Sequence, residues 1–296
     1  MRDRWEYAGL IKYCFIILHY ITVEDTVKCV ESIKSLNITE GEISVVIVDN
    51  ASPNTSGQEL EGIYKDDISV SVLINDNNEG FSRGNNIGCE YAREYINPDY
   101  YIVLNNDIVI EQKDFCKFIH NLYKTYNFDV LGPDIYSTKR NIHQNPIMNE
   151  IPNITRVNMT ILVNKLMCIL YPISIPLMYA IKNRDSKDCK NSNYNIEQEN
   201  IGLHGACLIM TSRYIEKKKK VFYPETFMYY EEALMMIWNL KNNCKSLYSP
   251  LIKVIHNESN ATHAKNSNTI GKWYKGANYI IDAAKIYREE YKKYFE

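Results

Sequence analysis

Near-continuous apolar runs constrain this chain most: Cys14-Phe15-Ile16-Ile17-Leu18, Ile43-Ser44-Val45-Val46-Ile47-Val48 and Tyr100-Tyr101-Ile102-Val103-Leu104. Runs of that length without polar alternation suit strands covered on both faces. Between the first two, Val23, Val27, Val30, Ile33 and Leu36 recur at helical spacing, with Thr22 and Asp25 as a capping signal. Ile68 to Ile74 reads as a third strand, and a helix over Arg83 to Tyr95 leads into the fourth. Such alternation predicts an α/β fold, a mostly parallel sheet flanked by helices, with ligands beyond the carboxyl ends of its strands. His19, Asp49, Asn78 and Asp107 fall there.

With 296 residues, 45% of them hydrophobic, the chain can bury a substantial core. It reads as one domain over 1–265 with a helical tail over 266–296. In the tail, Trp273, Ala277, Ile280, Ala284, Tyr287 and Tyr291 lie near helical spacing, which predicts a helix packed on the domain or on a partner such as a second copy. A net charge of −2 gives no general attraction to nucleic acid. The eight cysteines form no Cys-x-x-Cys pair, so neither a zinc site nor a disulfide framework is expected. The amino terminus lacks the apolar stretch of a signal peptide, and a reducing cytosol is the expected compartment.

Asn78-Glu79-Gly80-Phe81-Ser82-Arg83-Gly84-Asn85-Asn86-Ile87-Gly88 carries three glycines and three asparagines. It predicts a loop able to lie close against a flat, phosphate-bearing ligand. The fourth strand ends in Asn105-Asn106-Asp107, where an acid can hold that ligand's metal ion. Together they predict a nucleotide-sugar site. A nicotinamide or flavin fingerprint would place its glycines directly after the first strand, which instead ends in His19-Tyr20. A nucleotidyltransferase would need a basic, glycine-rich loop at the same place, and that is absent too.

In order, His19-Tyr20, Val48-Asp49-Asn50-Ala51-Ser52, Asn78 to Gly88, Leu104-Asn105-Asn106-Asp107, Gly205-Ala206-Cys207, Phe227-Met228-Tyr229-Tyr230-Glu231-Glu232 and His256-Asn257-Glu258-Ser259 resemble the family 2 glycosyltransferases of the GT-A fold, especially their bacterial rhamnosyltransferase-like branch. The resemblance covers roughly residues 12 to 262. It implies a Rossmann-like sheet and inverting, metal-dependent transfer of a sugar from a UDP- or dTDP-linked donor. The implied acceptor is a glycan or lipid-linked glycan in bacterial surface polysaccharide assembly.

By that resemblance, Asp107 matches the last acid of an Asp-x-Asp motif and would bind manganese or magnesium, with His256 as a further ligand. Asn105 stands where the first acid often is, and a neutral amide binds metal more weakly. Asp49 and His19 correspond to base- and ribose-binding positions; Asp49-Asn50 would also form a turn irrespective of function. Asn78, Arg83 and Asn106 complete the expected donor contacts. Glu232 corresponds to the catalytic base, with Glu231 as the alternative; both acids would also suit a helix amino terminus. Leu234 and Trp238 occupy places where many relatives carry Asp and Arg, so those relatives' acceptor contacts do not carry over. Asn105 and Glu232 depart from the commonest residues at their positions, so a catalytically silent nucleotide-sugar-binding or scaffold subunit stays open.

Leu166 to Ile181 is the most apolar part of the chain, interrupted by Pro172 and Pro176 and flanked by Lys165, Lys182 and Arg184. It is too short to span a bilayer, so shallow contact with an anionic membrane surface and burial against the domain or a homodimer partner are both open. This forms the core of an apolar helical insertion over about 157–200, ending in a polar stretch, Asn183 to Asn200, expected near the acceptor.

Overall fold

In the computed structural model, residues 10–39, 41–170, 193–258 and 269–295 are described. The strands are β1 (Ile11–His19), β2 (Gly41–Asp49), β3 (Val70–Ile74), β4 (Tyr100–Asn105), β5 (Ile108–Val109), β6 (Val130–Ser137), β7 (Ile142–His143), β8 (Gln198–Glu199), β9 (Cys207–Thr211) and β10 (Ser246–His256). The helices are α1 (Val23–Lys34), α2 (Ser56–Ile63), α3 (Gly80–Tyr91), α4 (Phe115–Tyr126), α5 (Ile154–Ile169), α6 (Ser212–Lys217), α7 (Glu231–Lys241) and α8 (Thr269–Phe295).

The sheet runs β3-β2-β1-β4-β9-β6-β10-β5. β3, β2, β1 and β4 pair in parallel, as do β6 and β10. Between these blocks, β9 is antiparallel to both β4 and β6. That reversal matters for function. The carboxyl ends of the parallel strands share one edge, and β9 begins where β4 ends, with Cys207 opposite Leu104. The turn entering β9 therefore arrives beside Asp107.

The apolar runs are buried except for Leu18, Ile43 and Ser44 at their ends: Phe15, Ile17 and Ile47 pack toward α1, α2 and α4, and Ile16, Val46 and Val48 toward α3. A third cluster joins α5, α7 and α8 through Val157, Ile161, Leu234, Ile237, Ala284 and Tyr287. The expected tail helix thus packs on the chain's own α5 and α7 and runs from Thr269 to Phe295. The boundary at 265/266 and the segment 171–181 lie outside the described residues, as does most of Asn183 to Asn200. The described cysteines are free thiols.

Three local expectations need correction. Gly80 to Gly88 is helical, and the ligand-like loop is shorter, ending at Glu79. A Cβ on Gly88 would lie 2.4 Å from Ile16 Cγ2 and 2.9 Å from Val48 Cγ2, and one on Gly84 would lie 2.6 Å from Leu18 Cδ1. These glycines, one turn apart, let α3 approach the sheet, and that packing outweighs their poor helix propensity. From Ala92 to Ile96 the helix widens into a π turn rather than continuing to Tyr95 as α-helix. Thr22 does sit at the N-cap of α1, but its side chain makes no capping bond. Its hydroxyl accepts from Asn106 instead, at 3.0 Å.

Candidate functional site

Asp107 lies in the two-residue hop between β4 and β5, and β5 pairs with the end of β10, placing Ile108 opposite His256. Sequence separation of 149 residues is thereby reduced to contact: His256 Nε2 stands 3.2 Å from Asp107 Oδ1. Gln144 decides the histidine's tautomer. Its Nε2 donates to Glu258 Oε1 at 2.8 Å, and a carboxylate can only accept, so the amide oxygen faces His256 Nδ1 at 2.7 Å. Burial alone would push the Glu258 carboxyl up, but bonds from Arg140 and Ser137 and the guanidinium charge hold it below the ordinary range. His256 Nδ1 therefore carries a proton, and Nε2 points at Asp107. A carboxylate and an imidazole whose far nitrogen is fixed by an amide fit a divalent ion. No group of three or more His, Cys, Asp or Glu able to hold a metal gathers among the described residues.

Glu231 and Glu232 open α7, preceded by two tyrosines with left-handed backbone, Tyr229 at φ 76° and Tyr230 at φ 66°. Side chains with a Cβ rarely adopt this conformation, and it concentrates at functional sites. The turn is held from three sides. Phe227 stacks on Tyr279 at 4.3 Å, Tyr230 packs on Tyr287 at 5.3 Å, and Phe81 N–H donates to Phe227 O at 2.7 Å. Gly80 permits that last contact: its φ is +73°, and a Cβ there would lie 2.4 Å from Phe227 O.

Glu232 Oε1 accepts from Gly205 N–H at 3.2 Å, and Thr226 donates to Glu231 Oε2 at 3.4 Å. Burial raises the proton affinity of both carboxyls, and the charge of Glu232 raises that of Glu231 further. The turn His204-Gly205-Ala206 joins this pair to the rest. Ala206 O accepts from Asn105 N–H at 3.0 Å, Gly205 holds Glu232, and the His204 ring lies 6.3 Å from that of His256. Burial, with His256 and Arg140 nearby, pushes His204 down to about 4, so it is neutral; its Nδ1 accepts from Ala206 N–H at 3.1 Å.

The remaining predicted residues divide into those that face one another and those that do not. The His19 ring is fully buried, with Nδ1 2.6 Å from Thr26 Oγ1 and Nε2 2.8 Å from Ser56 Oγ. Burial lowers its pKa to about 4 despite Asp49 and Asp25, which act the other way. Asn106 donates to Thr22 and Thr26 and belongs to the same internal chain. Asp49 is buried and accepts from the Ser52 hydroxyl and from Ser52 N–H, the turn its sequence also suggested. Asn78 Oδ1 accepts from Asn50 and Gly80 N–H, whereas Arg83 is exposed and pairs with Glu79 at 3.1 Å. Asn105 is partly buried at the strand end.

Four residues that sequence reasoning did not assign shape the site: Asn50, Gln144, Asn145 and His204. Asn50 bonds Asn78, Asn75, Gly80 O and Glu79 N–H, tying β2 to the segment before α3. Asn145 accepts from His204 N–H at 2.8 Å. Asn50 lay within a quoted motif and was legible only as a turn former; the other three carry no local signal.

A mixed α/β sheet with helices on both faces, and polar residues gathered at one edge, is the architecture of GT-A glycosyltransferases. The family model for Glycosyl transferase family 2 matches residues 14–175, more than half of the chain, and the chain belongs to that family. A hexosyltransferase of low-salt glycan biosynthesis in Haloferax volcanii, Agl10, is 24% identical over 244 residues, 82% of this chain and 66% of that protein. This chain thus spans just under two thirds of that relative's length. Among solved structures, residues 1–349 of S. aureus TarS share the fold with a TM-score of 0.54 at 12% identity, covering 96% of this chain and 73% of that one. The same fragment in complex with UDP gives 0.54 at 13% identity, covering 92% and 70%. No helix among the described residues is long and apolar enough to cross a membrane.

Proposed function

We propose that this chain moves a sugar from a nucleoside-diphosphate donor, UDP- or dTDP-linked, to a hydroxyl of a glycan or lipid-linked glycan, with inversion at the anomeric carbon. The observation carrying this reading is the turn His204-Gly205-Ala206, which links the Glu231/Glu232 pair, Asn105 and the Asp107–His256 pair at one edge of the sheet. Manganese or magnesium bound at Asp107 and His256 would neutralise the donor's diphosphate, making the nucleoside diphosphate a competent leaving group. Gln144 orients His256, and Glu258 orients Gln144. Glu232 accepts the proton of the acceptor hydroxyl as it attacks from the face opposite the leaving group. A carboxyl with raised proton affinity suits this role, since a base acts best when its pKa approaches the working pH. Related proteins support the substrate classes: Agl10 is a hexosyltransferase of glycan biosynthesis, and TarS has been crystallised with UDP and with UDP-GlcNAc.

The test is to incubate the full chain with UDP- and dTDP-sugars, with manganese, with magnesium and with chelator, and to measure nucleoside-diphosphate release and thermal stabilisation. Metal-dependent release is expected, and Asp107→Ala should lower it by about 10²–10³-fold, as expected when a major electrostatic stabiliser of the transition state is lost. Full activity of a folded Asp107→Ala protein would overturn the cation site. Neither stabilisation nor release with any donor would overturn the reading as a whole.

A further inference from the structure

Helix α5 (Ile154–Ile169) carries apolar residues on two sides, and the buried cluster takes up one of them. Its inner face, Val157 and Ile161, packs against α7 and α8. On the outer face and its capping residue, Met159, Leu162, Val163, Leu166, Ile169 and Leu170 are 42% to 75% exposed. Their spacing of three and four residues makes a continuous stripe along the helix. A contiguous exposed apolar patch of this kind marks an interaction surface. The chain around it has a second property. No acidic residue occurs from Ile151 to Arg184, whereas Arg156 and Lys165 lie on the exposed part of α5 and Lys182 and Arg184 follow in sequence.

We propose that the outer face of α5 docks on an anionic lipid surface, lying in the headgroup region with its apolar stripe inserted and Arg156 and Lys165 at the phosphates. Apolar burial supplies affinity, and the basic residues supply preference for negative lipids. The charge pattern favours this occupant over a second copy of the chain. Paired α5 faces would bring Arg156 and Lys165 together with no acid on either helix to answer them. The helix is too short to span a bilayer, so the contact is parallel to the surface. Docking there is read without any sugar transfer, so its failure and the failure of the proposed enzyme activity are separate results.

The full chain should co-sediment with phosphatidylcholine–phosphatidylglycerol vesicles at low salt, and less with phosphatidylcholine alone or at high salt. Leu162→Ser with Leu166→Ser and Ile169→Ser should weaken vesicle binding at least about tenfold, given the apolar area withdrawn from lipid. Arg156→Glu with Lys165→Glu should weaken it roughly tenfold or more on charged vesicles, with little change on neutral ones. The serine changes lie on the exposed face, so thermal stability and molecular mass in solution should be unaltered. Wild-type protein that ignores anionic vesicles overturns the proposal, as does a triple-serine protein that binds like wild type. A change of oligomeric state in the triple variant would assign the face to a second copy. A large drop in its melting temperature would assign it to another segment of this chain. Either result overturns lipid docking.

Discussion

The two halves of the site use their polar residues differently. At the ends of β1 and β2, polar side chains answer one another: His19 meets Thr26 and Ser56, Asn106 reaches Thr22 and Thr26, and Asn50 binds Asn78. At the start of α7, two adjacent carboxyls, Glu231 buried and Glu232 partly so, follow a backbone with two successive left-handed tyrosines, and their few hydrogen bonds do not offset the loss of water. A network that satisfies itself holds shape, whereas buried acids with raised proton affinity at a strained turn are where proton transfer is expected. The Asp107–His256 pair stands between these cases, since Gln144 and Glu258 satisfy the far side of the ring and leave Nε2 facing a carboxylate.

Glu232→Gln should break the contrast most severely. The substitution keeps an acceptor for Gly205 N–H but removes the proposed base, so turnover should fall by about 10²–10⁴-fold while donor affinity is retained. Steady-state kinetics with donor titration checks this. Normal turnover in Glu232→Gln together with a dead Glu231→Gln would move the base to the neighbouring residue.

Gln144→Leu tests the intermediate case. It leaves Asp107 and His256 in place but frees the ring to choose its tautomer and orientation. Metal affinity, read as the manganese concentration giving half-maximal activity, should weaken about 10–100-fold, as for other groups that orient a metal-bound histidine. Saturating manganese should restore much of the rate; a loss that no manganese concentration relieves would assign Gln144 a different role.

Gly88→Val probes the scaffold half alone. A side chain at this position must enter the space of Ile16 and Val48, so stability should fall by about 1–3 kcal/mol through overpacking. In a domain of this size each kcal/mol corresponds to roughly 2–4 °C in Tm. Donor affinity of the protein that stays folded should change little, and a selective loss of donor binding without loss of Tm would restore a direct ligand role for this glycine.

The smallest expected effect is a stabilisation. The Glu231 carboxyl has a raised pKa in the folded chain, so the folded state holds its proton longer than the unfolded state does. Its contribution is therefore favourable at low pH and is lost as pH rises from the ordinary glutamate range through the raised value. Glu231→Gln removes that loss and should raise Tm at pH 8 by at least about 2 °C, with the gain disappearing near pH 4. A gain of equal size at both pH values would show that burial of this charge is not its origin.

Much of the fold was legible because burial on both faces leaves a one-dimensional trace. Unbroken apolar runs marked β1, β2 and β4, and helical spacing marked α1 and the tail helix; their strand-end residues do gather at one edge. The glycines at 80, 84 and 88 were legible as positions needing close approach, but the sequence pointed to a ligand as what approaches. It proved to be the chain's own sheet and the Phe227 turn. Likewise Thr22 carried a capping signature, yet Asn106 took its hydroxyl.

The sequence by itself determined β1, β2, β4, α1 and the tail helix, which family the ordered motifs resemble, and which acids stand at strand and helix ends. These properties depend on local periodicity and on residue chemistry within a few positions. Only the tertiary structure decided partners. The antiparallel insertion of β9 brings the 204–206 turn to Asn105, and the pairing of β5 with β10 sets Asp107 against His256. Contacts across such distances in sequence depend on strand order and direction, which residue pattern does not encode locally, and so the roles of Gln144, Asn145 and His204 became visible only once the chain was folded.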